Sequence, residues 1–410
     1  MLITNIKYLV NVREETKLLR GNELAHLPIL ENAFLKIKDN LIEDYGLMSE
    51  LKESDFKDEI YDAKQATVLP SWCDSHTHLV FAATRENEFI DKIKGLSYAE
   101  IAVKGGGILN SAKKLNETTE ELLLELAQTR LNELVKLGTG AVEIKSGYGL
   151  SIEGELKMLR VIQQLKKQNS IPIKSTFLGA HAFPENYKQD RKAYIDLIIH
   201  EMLPKIAKEN LADYIDVFCE QGFFTQEETE KICTAGTSYG LKPKIHANQL
   251  NISGGVQAGS NTNAISVDHL ETIGDEEIQL LSQTNSPIAT LLPSCSFFLN
   301  MQYAPARQLI ENNAAIVLAS DYNPGSSPSG NMNFVVALAC IQLKMLPEEA
   351  INAATLNGAF AMELQNEVGS ITKGKRANLI FTQPISSLSL LPYSFGTNLI
   401  DKIMINGNFI

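Results

Sequence analysis

The sequence predicts an α/β fold whose main domain is a (β/α)8 barrel, or TIM barrel. Short β-like segments alternate with helical stretches, and several segments are continuous apolar runs, as expected of strands buried on both faces. An open doubly wound sheet is the competing fold, but no G-x-G-x-x-G follows the first segment. The eight predicted barrel strands are Thr67–Leu69, Ala141–Lys145, Ile173–Leu178, Tyr214–Cys219, Pro243–His246, Ala264–Asp268, Pro287–Leu292 and Ile316–Ser320.

The stretches between these strands have helical composition, with leucines and other apolar residues recurring on one face. A strand followed by a helix, repeated along the chain, is the pattern that favours a closed parallel barrel. The predicted helices are Thr119–Leu137, Glu153–Lys167, Asp190–Ala207, Gln226–Tyr239, Gly274–Ser282 and Ala304–Asn313.

Both ends of the chain are rich in β-like pieces. Near the N-terminus these are Ile6–Val10, Ala33–Ile37 and Leu41–Tyr45, and Asp39-Asn40 is a hairpin signal between the last two. After two helix-like pieces, Asn331–Leu343 and Pro347–Met362, strand patterns return in residues 369–381, 400–405 and 407–410. We therefore expect residues 1–65 and 365–410 to form one small composite β-sandwich, with the barrel occupying residues 66–364.

Composition narrows the classes of function. A net charge of −12 argues against a general binder of nucleic acid or of anionic membranes. The five cysteines are scattered and form no C-x-x-C, which disfavours a disulfide framework or a thiolate zinc cluster and fits a reducing cytoplasm. No apolar run is long enough to span a bilayer, and the N-terminus lacks a basic region and a cleavage site. We expect a cytoplasmic protein that binds neither nucleic acid nor membranes.

Two histidines two residues apart, His76 and His78, follow the first predicted strand. In extended chain, residues i and i+2 point to the same face, so both imidazoles can approach one metal ion. Histidine is the commonest neutral nitrogen ligand for zinc and iron. An isolated H-x-H also occurs by chance at a surface, so the pair needs support from the rest of the chain.

Other polar residues at predicted strand ends supply that support. Five of the seven histidines lie at or just beyond such an end, and Asp321 follows the last strand. Barrel enzymes place their active residues at the carboxyl ends of the strands, so these side chains are predicted to share one site. The five histidines are His76, His78, His181, His246 and His269.

Seven motifs together resemble the amidohydrolase superfamily and, more narrowly, the imidazolonepropionase family. The resemblance covers essentially the whole chain. The motifs are Ser75-His-Thr-His-Leu-Val-Phe-Ala, Gly105-Gly-Gly-Ile, Glu143-Ile-Lys-Ser-Gly-Tyr-Gly-Leu, Phe177-Leu-Gly-Ala-His-Ala, Asp216-Val-Phe-Cys-Glu, Asp268-His-Leu-Glu and Ser320-Asp-Tyr-Asn-Pro-Gly-Ser.

The resemblance implies an activity as well as the fold. Members of the family open the ring of 4-imidazolone-5-propanoate with water to give N-formimidoyl-L-glutamate, a step of histidine degradation. The likeness further implies one zinc or iron ion per subunit and a homodimer. Carried over by position, the ion is held by His76, His78, His246 and Asp321, and His269 with Asp321 activates water and protonates the leaving nitrogen.

The substrate-binding residues are likewise carried over from the family. Gln249 occupies the position at which related deaminases have a catalytic glutamate; an amide cannot accept that proton, so Gln249 is expected to hydrogen-bond the substrate ring. Arg85 is expected to bind the propanoate carboxylate through its planar fork. The remaining expected contacts to substrate or product are Tyr148, His181, Asn323, Gly325 and Ser326.

Three alternatives stay open. Binuclear relatives bridge two metals with a carbamylated lysine, for which Lys145 is the candidate, although the motif match favours one metal and a charge-partner role. The chain could hydrolyse another heterocycle, or it could be a barrel that binds without catalysing.

The long segment from Arg85 to Asn116, with its Gly105-Gly-Gly, is a candidate cover for the site.

Overall fold

A computed structural model describes residues 1–57, 59–96, 100 and 106–410 of the chain. Within these residues the strands form two eight-stranded sheets. In chain order the strands are β1 Leu2–Val10, β2 Ile29–Lys38, β3 Leu41–Leu47, β4 Ile60–Asp62, β5 Thr67–Pro70, β6 Trp72–Thr77, β7 Thr139–Lys145, β8 Ile173–Ala180, β9 Tyr214–Cys219, β10 Lys242–Ala247, β11 Ser266–His269, β12 Ile288–Leu291, β13 Ile316–Leu318, β14 Leu379–Thr382, β15 Ile400–Ile405 and β16 Asn408–Phe409.

Strands β6 to β13 form the barrel. Each is parallel to its neighbour in sequence, from β6 through to β13. The barrel closes just beyond the last strand, where the His78 N–H donates to the Tyr322 carbonyl at 2.8 Å and the Asp321 N–H donates to the His76 carbonyl at 3.0 Å. Closure therefore joins the chain segment that carries the histidine pair to the one that carries Asp321.

Helices connect the barrel strands, and several of them begin at a capping side chain. Thr119, Ser151 and Thr225 each accept a backbone N–H in the first turn of the helix that follows, which satisfies a donor that the helix cannot pair itself. The α-helices are Glu86–Ile93, Ile108–Glu117, Glu120–Lys136, Ile152–Gln168, Arg191–Leu197, Leu203–Glu209, Gln226–Ser238, Gly255–Asn261, Asp275–Leu281, Pro293–Leu299, Ala306–Glu311, Met332–Ile341, Pro347–Ala354, Leu356–Ala361 and Leu390–Tyr393.

The second sheet is built from both ends of the chain, in the order β16-β15-β14-β5-β1-β2-β3, with β4 also paired to β1. Alternate residues face two different cores, since Val68 packs in the sheet's own apolar cluster and Leu69 packs in the barrel cluster. The predicted hairpin turn is present, and Asp39 and Asn40 both have positive φ, at 51° and 71°. The predicted fold class, a barrel with a small domain made from both termini, is confirmed.

The prediction for the first barrel strand was wrong. Thr67–Leu69 belongs to β5, which pairs with β1 and β14 in the terminal sheet, so that sheet extends past residue 66. The first barrel strand is Trp72–Thr77, which carries His76 within it. Its six residues are all buried although four of them, Asp74, Ser75, His76 and Thr77, are polar. The apolar pattern in the sequence therefore matched β5, the strand just before β6, and not the first barrel strand itself.

Two predicted helices are interrupted. The stretch from Pro347 is divided at Thr355, and Arg191–Glu209 contains a π-helical turn at Ile198–Met202. In the candidate cover segment, residues 97–99 and 101–105 lie outside the described residues, and so does Gly105 of the glycine motif. In the described part of the chain, no helix combines the length and the apolar character needed to cross a bilayer.

Candidate active site

The barrel brings the predicted metal ligands together at one end. His76 lies on β6 and His78 directly follows it, His246 lies on β10, and Asp321 follows β13. All four residues are at most 3 % exposed. Side chains that are far apart in sequence thus converge at the carboxyl ends of the strands, the position that barrel enzymes use for catalysis.

The ligand atoms of these residues surround one small space. His78 Nε2 lies 3.4 Å from His246 Nε2, and Asp321 Oδ1 lies 3.5 Å from His78 Nε2 and 3.6 Å from His76 Nε2. The buried His76 Nε2 has no hydrogen-bond partner in the described structure. The space is therefore lined by three imidazole nitrogens and one carboxylate oxygen, and one of these nitrogens is buried without a partner. This donor set fits a divalent zinc or iron ion.

Carboxylates orient two of the histidines by pairing with Nδ1, the ring nitrogen opposite the Nε2 that lines the ligand space. His76 Nδ1 lies 2.6 Å from Asp268 Oδ2, and His246 Nδ1 lies 2.9 Å from Asp216 Oδ2. A carboxylate accepts only, so each Nδ1 carries the proton and each Nε2 presents its lone pair to the ligand space. The second carboxylate oxygen of Asp216 also accepts the backbone N–H of His246 at 3.1 Å, which fixes that residue further.

The electrostatics keep two of the ligand histidines, His76 and His78, neutral. Burial, together with the neighbouring Lys145 and the other imidazoles, lowers the pKa of His76 well below its ordinary value, and the pKa of His78 is lowered for similar reasons. Burial alone would raise the pKa of Asp216, but His246 and Lys145 hold that pKa well below its usual range. Neutral imidazoles and ionised carboxylates are the protonation states that metal binding requires.

A buried ion-pair network lies beneath the ligands. Lys145 Nζ lies 2.7 Å from Glu143, 2.8 Å from Asp216 and 3.5 Å from Asp268, and Lys244 pairs with Glu143 from the other side. All five side chains are fully buried. Lys145 therefore compensates both carboxylates that orient His76 and His246. Its three carboxylate neighbours suit an ammonium and would repel the negative charge of a lysine carbamate.

His269 is held beside this cluster by a different carboxylate. Its Nδ1 lies 3.3 Å from Glu271 Oε1, and ligand atoms of His269, His76 and Asp321 all lie within 4.8 Å of one another. Burial opposes the charged imidazolium, but Glu271, Asp321 and Asp268 raise the pKa of His269 to about 9. His269 and Asp321 also have positive φ, at 92° and 54°, a strained backbone that is typical of active sites.

One wall of the site is aromatic. The His181 ring stacks on the His78 ring with centroids 5.4 Å apart, and Tyr148 lies 5.6 Å from His181. His181 Nδ1 bonds the Gly147 carbonyl at 3.0 Å, and burial lowers the pKa of His181 to about 3, so this ring is neutral. Burial also raises the pKa of Tyr148, which remains a neutral hydroxyl donor. This wall lies beside the ligand histidines.

The Glu155 carboxylate shapes the turn that carries Tyr148. Glu155 is fully buried and accepts the backbone N–H groups of Gly147, Gly149 and Leu150 at 3.0, 2.7 and 2.9 Å. A carboxylate that accepts several backbone donors fixes the conformation of the loop around it. Tyr148 is thus positioned by a residue on the helix that follows the turn.

Gln249 and the loop after Asp321 complete the surroundings. Gln249 is half-buried, and its Nε2 lies 3.4 Å from Cys295 Sγ, while within the described residues its carbonyl oxygen accepts no hydrogen bond. Asn323 accepts the N–H groups of Gly325 and Ser326 at 2.8 Å and donates to the Asp321 carbonyl at 2.6 Å. The Asn323 side chain is therefore committed to shaping its own loop. Ser326 donates to Asp321 Oδ2 at 3.3 Å and orients that carboxylate.

Arg85 lies where the loop after β6 meets the loop after β13. Its guanidinium pairs with Glu88 and packs directly against Gly325. A Cβ at position 325 would overlap Arg85 Nη1, so the glycine provides the room in which the guanidinium lies. The structure thus places two predicted substrate-binding positions, Arg85 and Gly325, in contact.

Sequence reasoning assigned no role to several of these side chains. Each is acidic and each lies on a barrel strand or within a few residues of a predicted site residue, which is the signal that could have found it. These are Glu143, Asp216 and Asp268 on the strands, Glu271 two residues after His269, and Glu88 three residues after Arg85.

Comparison with known proteins defines the class. The model of the amidohydrolase family matches residues 67–410. The structure of a 5-methylcytosine deaminase from Klebsiella pneumoniae, liganded with 5-fluorocytosine, aligns with a TM-score of 0.75 at 15% identity, covering 100% of this chain and 97% of the other. That of an adenosine deaminase from Xanthomonas campestris, with bound zinc, aligns with a TM-score of 0.66 at 16% identity, covering 100% and 92%. The chain belongs to the amidohydrolase family.

Similarity to curated proteins narrows the family to one group of enzymes. The imidazolonepropionase of Flavobacterium johnsoniae is 59% identical over 411 residues, which covers 100% of this chain and 99% of the relative. That of Christiangramia forsetii is 55% identical, with 100% of both chains covered. Within the amidohydrolases, this chain therefore belongs with the imidazolonepropionases.

Proposed function

We propose that this enzyme hydrolyses 4-imidazolone-5-propanoate to N-formimidoyl-L-glutamate. Water adds to the ring carbonyl carbon, the adjacent carbon–nitrogen bond breaks, and the freed nitrogen takes up a proton. The proposal rests on the ligand cluster of three histidines and Asp321, set beside the hydrogen-bonded pair of His269 and Glu271. The identity with curated imidazolonepropionases over the whole chain supports it.

We assign His76, His78, His246 and Asp321 as the ligands of one zinc or iron ion. When bound, such an ion supplies a Lewis acid that lowers the pKa of a water molecule and polarises the ring carbonyl. The carboxylates of Asp216 and Asp268 keep two of the imidazoles in the tautomer that can bind it. The ion-paired Lys145 supports a site for one ion rather than a carbamate-bridged pair.

His269 and Asp321 are the groups we assign to proton transfer. Glu271 occupies His269 Nδ1, which turns the other ring nitrogen towards the space shared with His76 and Asp321. From there His269 can hold a proton for the leaving nitrogen while Asp321 accepts one from water. Ser326 keeps the Asp321 carboxylate oriented for that exchange.

The substrate is held by groups around the ligand cluster. Gln249 offers a carbonyl oxygen to a ring N–H, while Tyr148 and His181 offer a neutral donor and an aromatic face. Arg85 is the assigned partner of the propanoate carboxylate. An aminohydrolase acting on another heterocycle would require an acidic group where Gln249 stands, so this reading is the weaker one.

Turnover of the synthetic imidazolone, followed by its ultraviolet absorbance and by identification of the product, tests the proposal. We expect ring opening by the metal-loaded enzyme, loss of activity with a chelator, and recovery with zinc or iron. No turnover at full metal content would reject it. The homodimer and the cytoplasmic location that the family likeness implies belong to the same proposal, and sedimentation equilibrium tests the former.

A further inference from the structure

The proposed carboxylate partner, Arg85, is already paired. Its Nε and Nη2 lie 2.9 and 2.5 Å from the same oxygen of Glu88, and the other oxygen of Glu88 accepts the Gly107 N–H at 2.9 Å. The two side chains are only 13% and 11% exposed. Arg85 and Glu88 together carry no net charge, so an anionic substrate tail would meet a neutral pair. The remaining nitrogen of the fork, Nη1, lies against Gly325 and donates no hydrogen bond within the described part of the chain.

A second cation lies at the same place. Lys92 is one turn beyond Glu88 on the helix Glu86–Ile93, and its Nζ donates to the Gly325 carbonyl at 3.2 Å. Gly325 is also the residue against which the Arg85 guanidinium packs. Two positive groups thus border one glycine, and the ammonium of Lys92 has further N–H groups beyond the one given to Gly325.

The charge balance favours a ligand anion here. Lys92 is half-buried, and burial together with the nearby Arg85 lowers its pKa. A carboxylate bound beside the ammonium would counter this effect, because an opposite charge stabilises the protonated form. With Lys92 counted, the group Arg85, Glu88 and Lys92 carries one net positive charge. A monoanionic tail neutralises it, in a protein whose net charge of −12 otherwise repels anions.

We propose that Lys92 is a second recognition group for the substrate carboxylate and that Glu88 holds the Arg85 fork so that its Nη1 edge faces the same anion. This inference rests on the proposed function, since it names the part of the substrate that these residues select. It makes Lys92 a specificity-determining residue for imidazole-like rings that bear a short acidic side chain.

Binding of two stable ring compounds to the metal-loaded protein tests the inference without turnover. One is 3-(imidazol-4-yl)propanoate, and the other is 4-propylimidazole, which has a similar ring and chain but no carboxylate. Calorimetry on the wild type should show tighter binding of the acid. In Lys92→Gln the acid should bind about 10-fold more weakly, as expected for loss of one hydrogen bond to a charged group, while the neutral compound is unaffected.

Two further variants make the result decisive. Lys92→Arg keeps the charge and should retain the preference for the acid. Lys94→Gln removes an exposed lysine two residues away and should change neither affinity, which excludes a general effect of net charge. If the wild type prefers the acid and Lys92→Gln prefers it equally, the inference is wrong and the proposed function stands. If the wild type shows no preference, carboxylate recognition fails for both.

Discussion

The two halves of the site are built differently. The proposed metal half comprises His76, His78, His246 and Asp321, whose side chains are at most 4% exposed and which lie on or next to barrel strands. The proposed carboxylate half comprises Arg85, Lys92 and Gly325, which are half-buried and belong to a short helix and two loops. Our proposal therefore assigns the chemistry to buried residues on or beside strands, and the selection of the substrate tail to half-buried residues on a helix and in loops.

The two halves of the site also differ in how their buried charges are compensated. In the metal half, Asp216 and Asp268 each orient one imidazole, and a single lysine compensates both. In the carboxylate half the positive charges outnumber the negative ones, so the charges are balanced only when an anion binds. We therefore expect damage to the metal half to reduce metal content and kcat, and damage to the carboxylate half to raise KM.

The largest effect should come from Asp321→Ala. This change removes an assigned ligand and an assigned base, so both the metal content and the rate of ring opening should fall. We expect the fall in kcat to exceed the roughly 10–100-fold cost of losing an outer partner of a ligand. Metal analysis and steady-state kinetics measure the two losses, and an unchanged metal content with full activity would refute the assignment.

His269→Asn should separate proton transfer from metal binding. The histidine is assigned to acid–base chemistry and not to the ion, so kcat should fall by about 10² to 10⁴-fold while the metal content stays at the wild-type level. Glu271→Gln, which weakens the bond that orients the ring, should cost less. Loss of metal from His269→Asn would show instead that His269 is a ligand.

Two buried lysines allow a matched test of the network. Lys145→Met and Lys244→Met each leave Glu143 with one partner fewer, and each should lower the free energy of unfolding by about 3–5 kcal/mol. Only Lys145 reaches Asp216 and Asp268, so only its loss should weaken metal affinity, by about 10–100-fold. Equal metal affinities in the two variants, measured by competition with a chelator, would mean that the network is purely structural.

The smallest effect is expected from Gly325→Ala in the carboxylate half. The added methyl group displaces the Arg85 guanidinium, so KM should rise by about 10-fold, the loss of roughly one charged hydrogen bond, with kcat little changed. Gly396 has open space around it, and Gly396→Ala is the control. A fall in kcat without a change in KM would place Gly325 in the metal half.

Much of the architecture could be predicted from the sequence because buried parallel strands leave continuous apolar runs. Tyr214–Cys219 was predicted with its final bounds, and the positions of His246 and His269 at strand ends followed from the same pattern. The first barrel strand was missed for the opposite reason. Trp72–Thr77 carries Asp74 and His76 inside the barrel, and polar residues that serve a site erase the apolar signal.

The barrel, the composite terminal domain and the residues that converge at the strand ends could all be predicted before any coordinates, since these follow from hydrophobic period and from motif likeness. The contacts between side chains could not: the folded chain was needed to show that Asp268 bonds His76, that Asp216 bonds His246 and that Lys145 pairs with both carboxylates. Such pairings join residues on different barrel strands, some of them adjacent and some further apart in the sheet. They depend on distances of a few ångströms between residues whose separation along the chain carries no information about them.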